Sequence, residues 1–169
     1  RSLFPAAGFI EMSIAALLTK SHAEGRRCTE LRDLVFISSL LLDSNEVILG
    51  CRVDKDSCIS FRAQNSTSEI CIVGLSTTHH QIPPSYLDLI FGELKFRCNR
   101  EVMDLKLRYS KLYAKGFHGP DFQTLETVWL NDVGTEVFSK VKTCAFSERF
   151  HAHPAMVDGA LQLAGFLLE

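Results

Sequence analysis

The sequence predicts an α+β fold of two similar units, each an antiparallel sheet wrapped on one buried helix. Three observations carry this reading. Two strongly apolar stretches, one near each end, open with a proline: Phe4-Pro5-Ala6-Ala7-Gly8-Phe9 and His153-Pro154-Ala155-Met156-Val157-Asp158. Four strand-like runs follow the first stretch, separated by turn-forming residues. The two proline openings also echo each other, Leu3-Phe4-Pro5-Ala6 against Ala152-His153-Pro154-Ala155, as two copies of one unit do.

Composition agrees. The 169 residues are 46% hydrophobic, enough to bury a sizeable core and too apolar for a disordered chain. The formal net charge is −2, and no basic stretch suggests a nucleic-acid or anionic-membrane surface. The apolar runs are too short or too interrupted to span a bilayer. The cysteines Cys28, Cys51, Cys58, Cys71, Cys98 and Cys144 form no C-x-x-C pair, so zinc and thioredoxin signatures are missing. Four of them sit in or beside apolar strand-like runs, so they read as reduced residues of a cytoplasmic protein; the alternative is disulfides in a secreted one, for which no signal peptide is visible. The chain opens at Arg1-Ser2 without a methionine, which reads as a piece of something longer.

Taken in order, residues 4–18 read as a buried helix with Pro5 at its start, followed by a polar stretch, 20–27, in which Gly25 is the stop. The runs 34–42, 46–53, 58–63 and 69–76 read as strands of an antiparallel meander, since 43–45, 54–57 and 65–68 have turn chemistry. Residues 77–100 are the least regular, because Ile82-Pro83-Pro84-Ser85 suits neither helix interior nor central strand. The boundary between the units belongs here: 1–85, a linker over 86–100, and 101–169. Residues 103–115 look helical, with Leu105, Tyr109, Leu112 and Tyr113 on one side and Gly116 as the stop. Gly119-Pro120 makes a turn. Residues 123–130 and 135–143 form a hairpin across Asn131-Asp132-Val133-Gly134, and 144–153 is a loop into the last helix.

That last helix, opened by Pro154, is almost wholly apolar, as for a helix buried on every side. Only Asp158 and Gln162 interrupt it before Glu169, four residues apart and so one turn apart on one face. A buried carboxyl is costly unless it is hydrogen-bonded or used. Stabilising the helix dipole does not explain it, because the fifth residue from Pro154 lies past the first turn. A buried Asp–Gln pair that only fixes packing stays open. The catalytic reading is preferred, since carboxyls in apolar surroundings cluster at active sites.

Three motifs then agree in order. Gly116-Phe117-His118-Gly119-Pro120-Asp121-Phe122-Gln123, followed by His153-Pro154-Ala155-Met156-Val157-Asp158-Gly159-Ala160-Leu161-Gln162, resembles the dehydratase domain of modular polyketide synthases and animal-type fatty acid synthases. That family has a Tyr-Gly-Pro-x-Phe turn before a His-Pro-x-x-x-Asp-x-x-x-Gln helix. Phe4-Pro5-Ala6-Ala7-Gly8-Phe9-Ile10-Glu11-Met12 is similar to its first central helix. The resemblance implies a double hot-dog fold, incomplete at both ends. It implies loss of water from a 3-hydroxyacyl chain on an acyl carrier protein, giving a trans-2-enoyl chain.

By the same resemblance Asp158 is the acid that protonates the departing hydroxyl, and Gln162 orients it. An acid working near neutral pH needs a raised pKa, which an apolar helix provides by desolvation. The family's turn tyrosine, which hydrogen-bonds the Asp, falls on His118; a histidine can donate such a bond with a pH dependence of its own. Gly119, Pro120, Phe122 and Pro5 are implied to shape the acyl-chain site. The family's catalytic His belongs to a motif whose proline matches Pro5, and it falls before Arg1. None of His22, His79, His80, His151 or His153 is assigned as the base; His22 reads as solvated in a polar loop and His153 as structural. No metal and no cofactor are implied beyond the phosphopantetheine arm of the carrier protein. The implied partners are that carrier protein, neighbouring synthase domains and a second copy in a homodimer, with no nucleic acid and no membrane.

Two alternatives keep the fold: a product-template-like cyclase or double-bond isomerase, and a non-catalytic scaffold. The Gly-Pro-x-Phe turn favours the dehydratase over the cyclase, and His118 mildly favours the scaffold. A free-standing hot-dog thioesterase or hydratase is disfavoured by the two-unit length.

Overall fold

The computed structural model describes residues 2–24, 30–42, 47–54, 58–64, 66–76, 84–115, 118–145 and 147–167. It divides into two compact units, Arg1–His80 and Gln81–Glu169.

In the first unit α1 (Ala6–Glu24) directly follows Pro5, and β1 (Ser2–Leu3) precedes it. The strands after it are β2 (Glu30–Phe36), β3 (Leu41–Leu42), β4 (Leu49–Val53), β5 (Cys58–Ala63) and β6 (Cys71–Ser76). The main sheet is antiparallel in the order β2-β6-β5-β4. Period-two alternation in β5 and β6 sends Ile59, Phe61, Cys71 and Val73 to one face, where all four are fully buried. Phe9 of α1 lies in the same cluster, with its ring centroid 4.9 Å from Phe4 and 5.2 Å from Phe61. Burying one such side chain contributes about 1.5–3 kcal/mol. The small residues of α1 serve close approach: Ala7 is fully buried, and a side chain on Gly8 would meet the Phe4 ring. Ser13, also fully buried, satisfies its hydroxyl by donating to Phe9 O at 2.7 Å.

The structure corrects the meander in two respects. Only β4, β5 and β6 pair in sequence, and β2 joins the far side of β6. The run expected as one strand over 34–42 breaks into β2 and β3, and β3 pairs with β1 in a separate two-stranded ribbon. Strand β2 ends where Ile37 N–H and Ser38 N–H both turn to Ile70 O, at 2.8 and 3.3 Å, and Leu40 O then accepts from Phe4 N–H beside β1. The β2–β6 register slips between Arg32 and Val35, and Asp33 there takes φ 50°. Beside it Arg32 pairs with Gly74, where an added Cβ would lie 3.2 Å from Arg32 O, tighter than ordinary van der Waals contact. The helix also runs further than expected, so the backbone of His22 belongs to the last turn of α1 and not to a loop. Gly25 and the pair His79-His80 lie outside the described residues.

The second unit holds α2 (Pro84–Arg97), β7 (Arg100–Glu101), α3 (Leu105–Ala114), β8 (Leu125–Leu130), β9 (Val137–Val141) and α4 (Pro154–Gln162). Its sheet is antiparallel in the order β7-β8-β9. The stretch read as irregular is therefore mostly helix. Pro84 opens α2, where its ring and missing N–H cost nothing, so the proline pair marks a helix start. Arg97 at the end of α2 grips Glu136 with two bonds of 2.8 Å, tying the helix to the β8–β9 loop and holding the Glu136 carboxyl below the usual carboxylate range. In that loop Asn131 Oδ1 accepts the backbone N–H of Thr135 and Glu136, and Gly134 takes φ 72°. Leu105, Tyr109, Leu125 and Val128 form the core, with Val137, Val141 and Phe166 against it.

Helix α4 is shorter and more open than its apolar sequence implies. It tightens into a 3-10 turn over Leu163–Phe166, and only Ala155 and Gly159 are buried within it, while Leu161 is 46% exposed. The reason is that this sheet meets α4 along one stripe. A Cβ on Gly159 would collide with Thr124 Oγ1 and reach Val141, so backbone and strand touch there, while Ala160 and Leu161 are exposed.

Candidate active site

Both polar residues of α4 meet in one hydrogen-bonded cluster. The helix is set by its first turn: His153 caps it, its Nδ1 accepting Ala155 N–H at 3.2 Å, and its carbonyl accepts from Met156 and Val157. The histidine expected to be structural is therefore a helix cap, held edge-on against Phe150. Thr124, at the entry to β8, donates to Ala155 O at 3.0 Å and fixes the helix against the strand.

One turn on, Asp158 and Gln162 face the same way. Gln162 Nε2 donates to Asp158 Oδ2 at 2.7 Å and to Phe122 O at 3.0 Å. Its Oε1 accepts the hydroxyl of Tyr109 at 2.8 Å. Tyr109 Oη in turn accepts Leu125 N–H at 3.2 Å. Asp158 is thus held by its helix neighbour, and that neighbour by α3 and by the turn before β8.

The turn carries the Gly-Pro-x-Phe residues. Pro120–Phe122 form a single 3-10 turn, with Phe122 N–H donating to Gly119 O at 2.9 Å. Gln123 reaches back to His118 O at 3.1 Å, and His118 takes φ 46°, a left-handed conformation uncommon outside glycine. This bend brings His118 Nδ1 to 3.4 Å from Asp158 Oδ2 and 3.3 Å from Gln162 Nε2. The two contacts ask opposite things of one nitrogen. Protonated, Nδ1 donates to the carboxylate; unprotonated, it could only accept from the amide, whose two hydrogens already go to Phe122 O and Asp158 Oδ2. Side-chain exposure is 28% at His118 and 15% at Asp158, so the pair is recessed but open to proton exchange.

Of the expected site residues, the structure brings Asp158, Gln162, His118, Gly119, Pro120 and Phe122 together. Pro5 heads α1 in the other unit, where its carbonyl accepts Gly8 N–H. Two contributors were not legible as such: Tyr109, assigned only to an apolar helix face, and the Phe122 carbonyl. A buried tyrosine hydroxyl always seeks a partner, which is the signal Tyr109 offered. Burial raises its pKa; the Leu125 N–H opposes this and the Asp158 charge adds to it.

Among the described residues no group of three His, Cys, Asp or Glu is placed to hold a metal, and no helix is long and apolar enough to cross a membrane. Among the described residues Cys51, Cys58, Cys71, Cys98 and Cys144 form no disulfide, and burial pushes the Cys71 thiol up to about 11. What the cluster offers is one carboxyl with a donor fixed on one of its oxygens and a histidine within reach.

Comparison with known proteins agrees. Residues 91–169 match the family described as polyketide synthase dehydratase N-terminal domain. Nearly the whole chain, 99%, is similar at 26% identity to the phenolphthiocerol synthesis polyketide synthase type I Pks15/1 of Mycobacterium marinum (strain ATCC BAA-535 / M), of which it spans 8%. The fold is that of the dehydratase domain from the CurF module of curacin polyketide synthase, with TM-score 0.70 and 18% identity over 98% of this chain and 62% of that one. It also matches two CurK dehydratase variants, histidine-to-phenylalanine (TM-score 0.68) and aspartate-to-asparagine (0.67), each described as an inactive mutant. They are 17% and 18% identical over 98% of this chain and 61% and 60% of theirs. These domains have the double hot-dog fold.

Proposed function

We propose that this chain, part of a dehydratase domain of the polyketide synthase family, removes water from a 3-hydroxyacyl chain carried on an acyl carrier protein. The observation that carries the reading is the Gln162–Asp158 bond of 2.7 Å beside the Gly119-Pro120-x-Phe122 turn. It is the pairing expected of an oriented acid at the mouth of an acyl site.

In the proposed reaction a base takes the proton next to the thioester carbonyl. The electrons of that C–H bond form the carbon–carbon double bond, and the C–O bond breaks. Asp158 gives its proton to the departing oxygen, which leaves as water. No histidine of this chain is assigned as the base. The inactive aspartate-to-asparagine and histidine-to-phenylalanine variants of CurK support an acid and a base of these two types. His118 stands where the family's turn tyrosine belongs and retains contact with Asp158, at 3.4 Å. The substrate thioester is held on phosphopantetheine, so the chain itself needs no cofactor. The partners in this reading are the carrier protein, the adjoining synthase domains and a second copy, in a cytoplasmic multienzyme.

The test is mass spectrometry of a 3-hydroxyacyl carrier protein incubated with the full-length protein. Loss of one water from the acyl-pantetheine arm is expected. No loss from a folded protein, across several chain lengths and both hydroxyl configurations, overturns the reading in favour of the cyclase or scaffold.

A further inference from the structure

We infer that Tyr109 is a positioning residue of the site: acting through Gln162, it holds Asp158 Oδ2 as a hydrogen-bond acceptor and so leaves Oδ1 as the oxygen that carries the transferable proton. The inference deepens the dehydratase reading and rests on it for the transfer step.

The argument starts from two backbone groups whose roles cannot change. Leu125 N–H is only a donor, so Tyr109 Oη, 3.2 Å away, accepts there. A neutral tyrosine hydroxyl has one proton, and the acceptor 2.8 Å away is Gln162 Oε1. The carbonyl end of Gln162 is thereby turned toward Tyr109. The opposite end is set by Phe122 O, which only accepts and stands 3.0 Å from Nε2. Flipping the amide would place an oxygen against the Phe122 carbonyl, losing that bond, and would leave the Tyr109 proton without an acceptor. With that orientation locked, one Nε2 hydrogen goes to Phe122 O and the other to Asp158 Oδ2 at 2.7 Å. An oxygen that receives a donor at that distance does not also carry a proton toward it. Among the described residues Oδ1 makes no hydrogen bond, so the acid proton is available there.

Tyr109 is 7% exposed and does not touch the carboxylate itself, so its effect is indirect. It comes from α3, outside all three motifs that resemble the family. Its hydroxyl supports the Asp158 assembly through Gln162 Oε1, whereas His118, at the position where the family keeps its tyrosine, approaches Asp158 directly.

The experiment is steady-state dehydration kinetics on the full-length protein carrying Tyr109→Phe, Gln162→Leu, both together, or Gln162→Glu, with circular dichroism to verify folding. Tyr109→Phe should lower kcat about tenfold and leave KM within about twofold, since the loss belongs to the transition state. The double variant should be no slower than Gln162→Leu alone, because Tyr109 acts only through that amide. Gln162→Glu keeps an acceptor for Tyr109 but has no donor for Asp158, and it should lose as much rate as Gln162→Leu. An unchanged kcat in Tyr109→Phe, additive losses in the double variant, or full activity in Gln162→Glu each overturns the inference. If Tyr109→Phe fails to fold, Gln162→Glu alone decides. A folded wild-type protein that removes no water overturns the dehydratase reading and the proton assignment with it.

Discussion

Gln162 donates to Oδ2 of Asp158 at 2.7 Å, one turn along the same helix, and its other amide atom is held by Tyr109 of a different helix. A side-chain pair at this spacing is common on helices. The amide here is different because every polar atom in it is committed, to α3 on one side and to the Phe122 carbonyl on the other. The acid is oriented before any substrate arrives, which is how a positioned proton donor gains over one in water.

Asp158→Asn removes the proton donor but keeps an oxygen to accept from Gln162. The variant should fold as the parent does and lose dehydration by about 10²-fold or more. Mass spectrometry of the acyl carrier protein measures this, and turnover at the parent rate would remove Asp158 from the mechanism.

Gln162→Leu should slow the reaction about tenfold, less than loss of the acid, because the carboxyl remains but is no longer held. It also leaves the Tyr109 hydroxyl proton without its acceptor and the Phe122 carbonyl without the amide donor, at a cost of about 1–3 kcal/mol. Urea unfolding followed beside the kinetics separates the two effects.

Gly159→Ala should destabilise the protein by about 1–3 kcal/mol, since the added methyl collides with Thr124 Oγ1 where the helix and strand already touch. Thr124 is buried and bonded to Ala155 O, so it has little room to yield. Combining Gly159→Ala with Thr124→Ala should restore part of the loss. If thermal melting shows the double variant less stable than either single one, the collision is not the cause.

Tyr109 also makes a prediction about alkaline stability. Its pKa is raised in the folded protein, mainly by burial, so the fold favours the protonated phenol. The contribution is complete below the ordinary tyrosine pKa of about 10 and is lost as pH rises through the higher folded value. Unfolding free energy should therefore fall as pH rises from about 10 toward the folded value in the parent and fall less steeply in Tyr109→Phe. Equal slopes in denaturant titrations would show that Tyr109 ionises as freely folded as unfolded.

The local pattern already contained the strand runs around Ile59, Phe61, Cys71 and Val73, the helix openings at Pro5 and Pro154, and the pairing of Asp158 with Gln162. Each of these depends on a period of two or 3.6 residues, or on the fixed φ of proline, and such rules act between near neighbours in the chain. Pro84 obeyed the same rule as the other two, yet 77–100 read as irregular because a proline pair marks a helix start and a chain break alike. Tertiary structure alone decided the rest. The β2 bulge at Asp33 and the pairing of β2 with β6 depend on partners some 40 residues apart. The open side of α4 depends on how much sheet reaches it, which no apolar count reveals. The lock on Gln162 joins Tyr109, Phe122, Leu125 and Asp158 from four separate elements. A hydrogen-bond network of that kind is a statement about distances in space, and sequence spacing specifies those only within a single turn or strand.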